Sequence, residues 1–284
     1  MSAEARDPFL KHVLAWAEAR NDVRLVLRTG SRARPNALVD AFSDHDLELF
    51  VLDPSAFAKG KSWSDDIAPT VISWSTPVDE ENHTTRLALF EGGHKIDFQV
   101  FHTSRLTEMA ADGLDDDHER GYDVLLDKDQ VADRLPPPSY TSTRNLVPAQ
   151  GDLEDVATEF WWEAAQIPGD VVRGDLWVLK FRDWTMKEQL LTLMEWEAFG
   201  RHQGSQNVGY YGKGLRLWGN PTLYDQLPAI FTGFDETDSL RGLNASAELF
   251  MRLSRVVAAA FGLDDGPLVA MEQAVTPYLR SPNV

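Results

Sequence analysis

The chain has 284 residues, 45 of them acidic and 27 basic, a net charge of −18, and no cysteine. That length supports a substantial core and two domains, and the missing cysteines exclude disulfides and thiol chemistry. The acidic surface disfavours nucleic acid, which is held through Lys and Arg, and no apolar run reaches the roughly 18 residues of a membrane span.

Asp7-Pro8 opens an amphipathic helix, with Asp as N-cap and Pro at the first helical position. It lacks the basic start and apolar centre of a secretory leader, so a cytoplasmic location is expected. Val23–Thr29 reads as a strand that ends in a glycine-serine turn, Gly30-Ser31. Glycine there lets the chain turn tightly and a phosphate approach without a Cβ in the way. Backbone N–H groups and the Ser31 hydroxyl are suitable phosphate donors.

Residues 46–52 read as the next strand, entered through Asp44-His45-Asp46. Side chains of a strand alternate between faces. Leu47, Leu49 and Val51 therefore face a core, while Asp44, Asp46 and Glu48 share the other face. Two carboxylates on one side offer hard oxygen ligands to Mg²⁺. The EF-hand alternative fails, because Leu49 stands where that loop requires glycine.

Residues 70–75 and a hairpin over 86–101 supply further strands, with Gly92-Gly93 at the bend. In Lys95–Val100 the apolar Ile96, Phe98 and Val100 alternate with Lys95, Asp97 and Gln99. Asp97 thus lies mid-strand on a polar face, where an acid needs solvent or a cation. With Asp44 and Asp46 it makes a candidate three-carboxylate metal set. A helix over 103–112 follows.

Pro136-Pro137-Pro138 and the polar stretch to Gln150 read as a linker. Beyond it strand signals nearly vanish, and helical patterns occupy 152–166, 173–200, 221–231, 239–262 and 267–279. Lys180, Asp183 and Lys187 form one helical stripe; its lysines are candidates for a triphosphate, and Trp177, Phe181 and Trp184 mark another, apolar face. Asp155, Glu159, Trp162 and Glu163 share one helical side, suited to a guanidinium-bearing sugar, although the run Phe160-Trp161-Trp162 also reads as inter-helix core. Gly209–Gly214 is glycine-rich but is not a P-loop, since Gly214 replaces the required Ser or Thr. The histidines lack zinc spacing, and no G-x-S-x-G occurs.

A glycine-serine turn, a spacer, Asp-x-Asp and a third Asp on a later strand resemble the DNA polymerase beta-like nucleotidyltransferase superfamily. More closely, the chain resembles the aminoglycoside 6-adenylyltransferases. The matching stretches are Gly30-Ser31-Arg32, Asp40–Asp46, Lys95-Ile96-Asp97, Val124–Asp129, Phe160-Trp161-Trp162, Met186–Trp196 and Gly212-Lys213. One departure is His45, where the family carries tyrosine; its side chain should point away from the metal.

The resemblance implies an α/β (α+β) catalytic domain with a mixed sheet at 1–135, a linker at 136–150, and an all-α helical bundle that binds substrate at 151–284. The active site is expected between the two domains. It implies transfer of AMP from ATP to a hydroxyl of an aminoglycoside, the 6-position of streptomycin foremost, with release of pyrophosphate. Asp44, Asp46 and Asp97 are then catalytic and bind Mg²⁺, Asp97 also taking the acceptor's proton. Gly30, Ser31, Arg32, Lys180, Lys187 and Lys213 are nucleotide contacts, with Arg32 either on phosphate or paired with Asp40. Asp155, Glu159, Trp162 and Glu163 meet the acceptor, a polycation that the negative chain would attract. Rival readings are transfer to a protein or another small molecule, and a non-catalytic nucleotide-binding protein. Neither nucleic acid nor membrane is an expected partner, and the oligomeric state is left open.

Overall fold

Asp7 caps the first helix, α1 (Pro8–Ala19), by accepting from the backbone N–H of Phe9 and Leu10 at 2.9 and 3.2 Å. The computed structural model describes residues 7–35, 37, 39–40, 42–58, 62–140, 147–204, 208 and 210–279. The chain falls into two units, Met1–Ser142 and Thr143–Val284.

In the first unit, β1 (Val23–Arg28), β2 (His45–Val51), β3 (Thr70–Ser75), β4 (His83–Phe90) and β5 (Lys95–His102) are followed by α2 (Ser104–Asp112), α3 (Asp116–Glu119) and β6 (Asp123–Asp127). The strands form a mixed sheet in the order β3-β4-β5-β2-β1-β6. β2 and β5 run parallel, and the other neighbours are antiparallel. Alternation separates the two faces. Leu47, Leu49, Phe98 and Val100 pack with Leu10 and Val13 of α1 and with Phe57 and Trp63. The opposite face carries Phe50 under Leu106 and Met109 of α2. Asp46 and Asp97 lie on that second face, paired in register.

β6 was not among the sequence-derived strands. The stretch Val124–Asp129 serves the scaffold here. Lys128 Nζ donates to the carbonyls of Ala17, Glu18 and Arg20 at 2.8, 3.0 and 2.7 Å, which closes the C-terminal end of α1. Asp127 accepts from the backbone N–H of Asp129, Val131 and Ala132.

The described elements of the second unit are α4 (Gln150–Arg173), α5 (Leu176–Arg201), the short α6 (Leu215–Trp218), α7 (Pro221–Tyr224) and α8 (Leu227–Ile230), then α9 (Glu236–Phe261) and α10 (Gly266–Val275). α4, α5 and α9 share a core in which Phe160 and Phe250 stack at 3.9 Å between centroids. Helix α4 runs past the expected end at 166, because Pro168 is carried inside it and buried. A proline forfeits one backbone bond; here Pro168 is buried within α4 and its neighbour Ile167 belongs to the shared core. No helix among the described residues is long and apolar enough to cross a membrane.

Candidate active site

The end of β1 is stitched to the start of β2. Thr29 N donates to Asp46 O at 3.0 Å, and Gly30 turns the chain at φ +67, ψ −152. That region is essentially reserved for glycine. Space imposes the same residue, since a Cβ on Gly30 would lie 1.8 Å from Asp46 Oδ2. The turn and the second carboxylate of the Asp-x-Asp motif are therefore pressed together.

Ser31–Ala33 forms a 3₁₀ turn directly after Gly30. Arg32 donates through Nε to Asp44 O and through a terminal nitrogen to Ser43 O, both at 2.8 Å. The guanidinium thus braces the segment that delivers Asp44, through main-chain carbonyls rather than the Asp40 carboxylate. His45 is buried on the far face, its Nε2 3.0 Å from Asp7 Oδ2, so the departure at this position concerns packing.

Parallel register sets Asp46 directly beside Asp97. Asp44 lies one residue before β2. Burial first, and then the negative charge of Asp44, raise the Asp97 pKa above the ordinary carboxylate value, with Lys95 opposing. Among the described residues no group of three acidic or histidine side chains is placed to hold a metal ion, so the structure does not bring Asp44, Asp46 and Asp97 together as the expected three-carboxylate set. The donor set still fits Mg²⁺, which is bound by one or two carboxylates together with substrate phosphates rather than by an all-protein cage.

Further along the same face, Glu48 and Gln99 occupy the next paired register position. A cleft of about 200 Å³ is lined by Gly30, Arg34, Asp46, Glu48, Asp115 and His118, among others. Its inner wall is an ionic chain. His118 Nε2 lies 2.9 Å from Glu48 Oε2 and Nδ1 lies 2.7 Å from Asp115 Oδ1. Burial alone would lower the His118 pKa, but hydrogen bonds to Asp115 and Glu48, and their charges, outweigh it and raise the value to about 10. The hydrogen bond from His118 holds Asp115 well below the usual carboxylate range. The sequence reading placed Glu48 on this face but gave no sign of His118, which comes from a four-residue helix 70 positions away.

The remaining site residues lie in the second unit. Lys180 Nζ donates to Thr232 Oγ1 and Ser239 Oγ at 2.8 and 3.0 Å. Lys187 is buried, 2.5 Å from Asp183 Oδ1, and burial lowers its pKa against the opposing Asp183 charge. Both ammonium groups are committed to partners in their own unit. Lys213 is exposed between two glycines of positive φ, while Gly209 of the same segment lies outside the described residues. On α4, Asp155, Glu159 and Trp162 are solvent-facing. Glu159 accepts from Gln189 at 2.7 Å, and Glu163 pairs with Arg182 at 2.8 Å. Phe160 and Trp161 are core, and Trp177, Phe181 and Trp184 are exposed.

A family model described as streptomycin adenylyltransferase matches residues 4–281. The aminoglycoside 6-adenylyltransferase of Bacillus subtilis (strain 168) is 25% identical over 252 residues, which cover 84% of this chain and 86% of the relative. That of Campylobacter jejuni is 25% identical over 255 residues, 87% of this chain and 84% of the relative. A crystal structure of an aminoglycoside 6-adenyltransferase from Bacillus subtilis superimposes over 95% of this chain and 97% of its own, at 17% identity and a TM-score of 0.43.

Proposed function

The chain belongs to the streptomycin adenylyltransferase family, and on that footing we propose that it moves AMP from Mg²⁺-ATP to an aminoglycoside hydroxyl, the 6-hydroxyl of streptomycin foremost, and releases pyrophosphate. The observation that carries this reading is the Asp46–Asp97 pair on adjacent parallel strands, with the Gly30 turn pressed onto Asp46. Phosphate donors and metal-ligating acids then meet within one short stretch of sheet.

Asp44 and Asp46 would hold Mg²⁺, with Asp97 beside Asp46 on the next strand. When bound, the ion supplies charge neutralisation across the triphosphate and polarises the α-phosphoryl group. Gly30 and Ser31 hold the β and γ phosphates through backbone N–H groups and the Ser31 hydroxyl. Arg32 keeps Asp44 in place through the two carbonyls that it grips. Asp97 accepts the proton of the attacking hydroxyl. The oxygen forms its bond to the α-phosphorus as the bond to the pyrophosphate oxygen breaks.

The first unit is assigned the transfer chemistry, and the second, read as a helical bundle, contacts with the acceptor. Asp155, Glu159 and Trp162 of α4 suit a cationic group, through charge and stacking. Lys213 is the solvent-facing lysine suited to a phosphate. The cytoplasm, where ATP is available, is the compartment assigned to this activity.

The test is mass spectrometry of streptomycin incubated with Mg²⁺-ATP and the enzyme, beside the Asp44→Asn variant. One added AMP unit, abolished by the substitution in a protein of unchanged circular dichroism, is expected. Adenylylation at a normal rate by Asp44→Asn would remove the assignment.

A further inference from the structure

The register of the sheet places four residues in one row on one face: Asp46 on β2, Asp97 on β5, Leu87 on β4 and Trp74 on β3. A second row beside it carries Lys95, Leu89 and Ile72. Strands lie about 4.8 Å apart, so Trp74 starts roughly 10 Å from Asp97 across the sheet. Sequence alternation alone could not show this row, because it depends on which strand pairs with which.

The outer part of this face is apolar and open. Trp74 is 59% exposed, Ile72 65% and Leu87 40%. Contiguous exposed apolar side chains beside a polar cleft are a feature of ligand-binding grooves.

The order of the strands then fixes which substrate lies over it, given the adenylyl transfer proposed above. In-line displacement at phosphorus requires the attacking oxygen and the leaving pyrophosphate on opposite sides. The pyrophosphate end belongs to the Gly30 turn, which rises from β1 on the far side of β2 from β5. The attacking hydroxyl must therefore come in from the β5 side, beside Asp97. The body of the molecule that carries it extends over β4 and β3. The geometry points to Trp74 and Leu87 as the platform for the acceptor, with the indole stacked against a sugar or cyclitol ring of an aminoglycoside and Leu87 filling the space between that ring and Asp97.

This occupant agrees with the chemistry of the row. An aminoglycoside ring presents C–H edges and nearby cationic groups, both of which are attracted to the face of an indole. A triphosphate has no such affinity for an uncharged apolar surface, whereas adenine stacks on aromatic faces, so a rise in the ATP KM rather than the streptomycin KM would assign Trp74 to the nucleotide. β3 itself, Thr70-Val71-Ile72-Ser73-Trp74-Ser75, contains no charge, so a second copy of the chain paired along this edge is the rival occupant.

The test compares wild type with Trp74→Ala and Trp74→Phe, using streptomycin, Mg²⁺-ATP and three readouts: the KM of each substrate, calorimetric binding of streptomycin, and sedimentation velocity. Trp74→Ala should raise the streptomycin KM and Kd by roughly 5- to 30-fold, the worth of one cation–π or stacking contact. The ATP KM and the thermal midpoint should stay unchanged, because the side chain is mostly in solvent. Trp74→Phe should recover most of the loss. Equal effects on both substrates, or none on streptomycin, would overturn the platform while leaving adenylyl transfer standing. Unchanged kinetics with a change of oligomeric state would give the edge to a second copy. A wild type that neither binds nor modifies any aminoglycoside would overturn the function and the platform together.

Discussion

Gly30→Ala is the substitution whose consequences follow most directly from the structure. Two separate costs arise. The backbone at φ +67, ψ −152 lies where non-glycine residues are strained by about 1–3 kcal/mol. At roughly 3 °C per kcal/mol for a unit of this size, the thermal midpoint should fall by about 3–9 °C. The new methyl group would also meet Asp46 Oδ2 at 1.8 Å and Cγ at 2.4 Å, whereas carbon contacts settle near 3.5 Å. The carboxylate or the turn must yield by well over an ångström, and a misplacement of that size at a reacting centre costs about 10²-fold in rate. Gly93→Ala separates the two costs, since Gly93 has φ +83 and open space where the Cβ would go. Scanning calorimetry and pyrophosphate release from Mg²⁺-ATP with streptomycin should then show destabilisation in both variants and lost turnover in Gly30→Ala alone. Equal turnover in the two would refute the claim that the turn positions Asp46.

The His118 bridge makes stability depend on pH. A histidine raised to about 10 in the folded chain and near 6.5 unfolded contributes fully below pH 6.5. That contribution is lost as pH rises from 6.5 towards 10, by at most about 1.4 kcal/mol per pH unit. Urea unfolding at pH 6, 8 and 9.5 should show the decline, and a His118→Gln variant should flatten it; a wild type of constant stability over that range would contradict the ionic chain. Lys128→Met should lower stability by about 1–3 kcal/mol, because three carbonyls closing α1 lose their donor. Unchanged denaturant midpoints would show that solvent replaces it. Asp44→Asn should keep the wild-type melting temperature while losing most turnover, and a parallel loss of fold would reassign that side chain to the scaffold.

Much of the first unit was legible because its signals are local. A capped amphipathic helix, alternating strands and a glycine-serine turn each depend on residues close in sequence, and the polar face holding Asp44, Asp46 and Glu48 follows from strand period alone. What escaped depends on distant pairing. β6 is five residues bounded by aspartates, and it becomes a strand only against β1. Residues 113–122 carried no expectation from the sequence, yet Asp115 caps α3 and His118 reaches across the cleft to Glu48. Pro168 signals a helix end, but α4 carries it buried and runs on to Arg173. Of the three candidate lysines, Lys180 and Lys187 share a stripe as the spacing requires. The same spacing brings Asp183 to Lys187 one turn on, but periodicity carries no information on Thr232 and Ser239, which meet Lys180 from a distant part of the chain.

The central claim concerns Asp97 beside the Asp-x-Asp pair, and pyrophosphate release from Mg²⁺-ATP across a panel of aminoglycosides tests it most directly. The wild type should release pyrophosphate only when an aminoglycoside is present, with streptomycin the most effective. The Asp97→Ala variant should bind ATP and release none. Full streptomycin-dependent release by that variant, or a wild type that binds Mg²⁺-ATP and yields no drug-dependent release, would contradict the account.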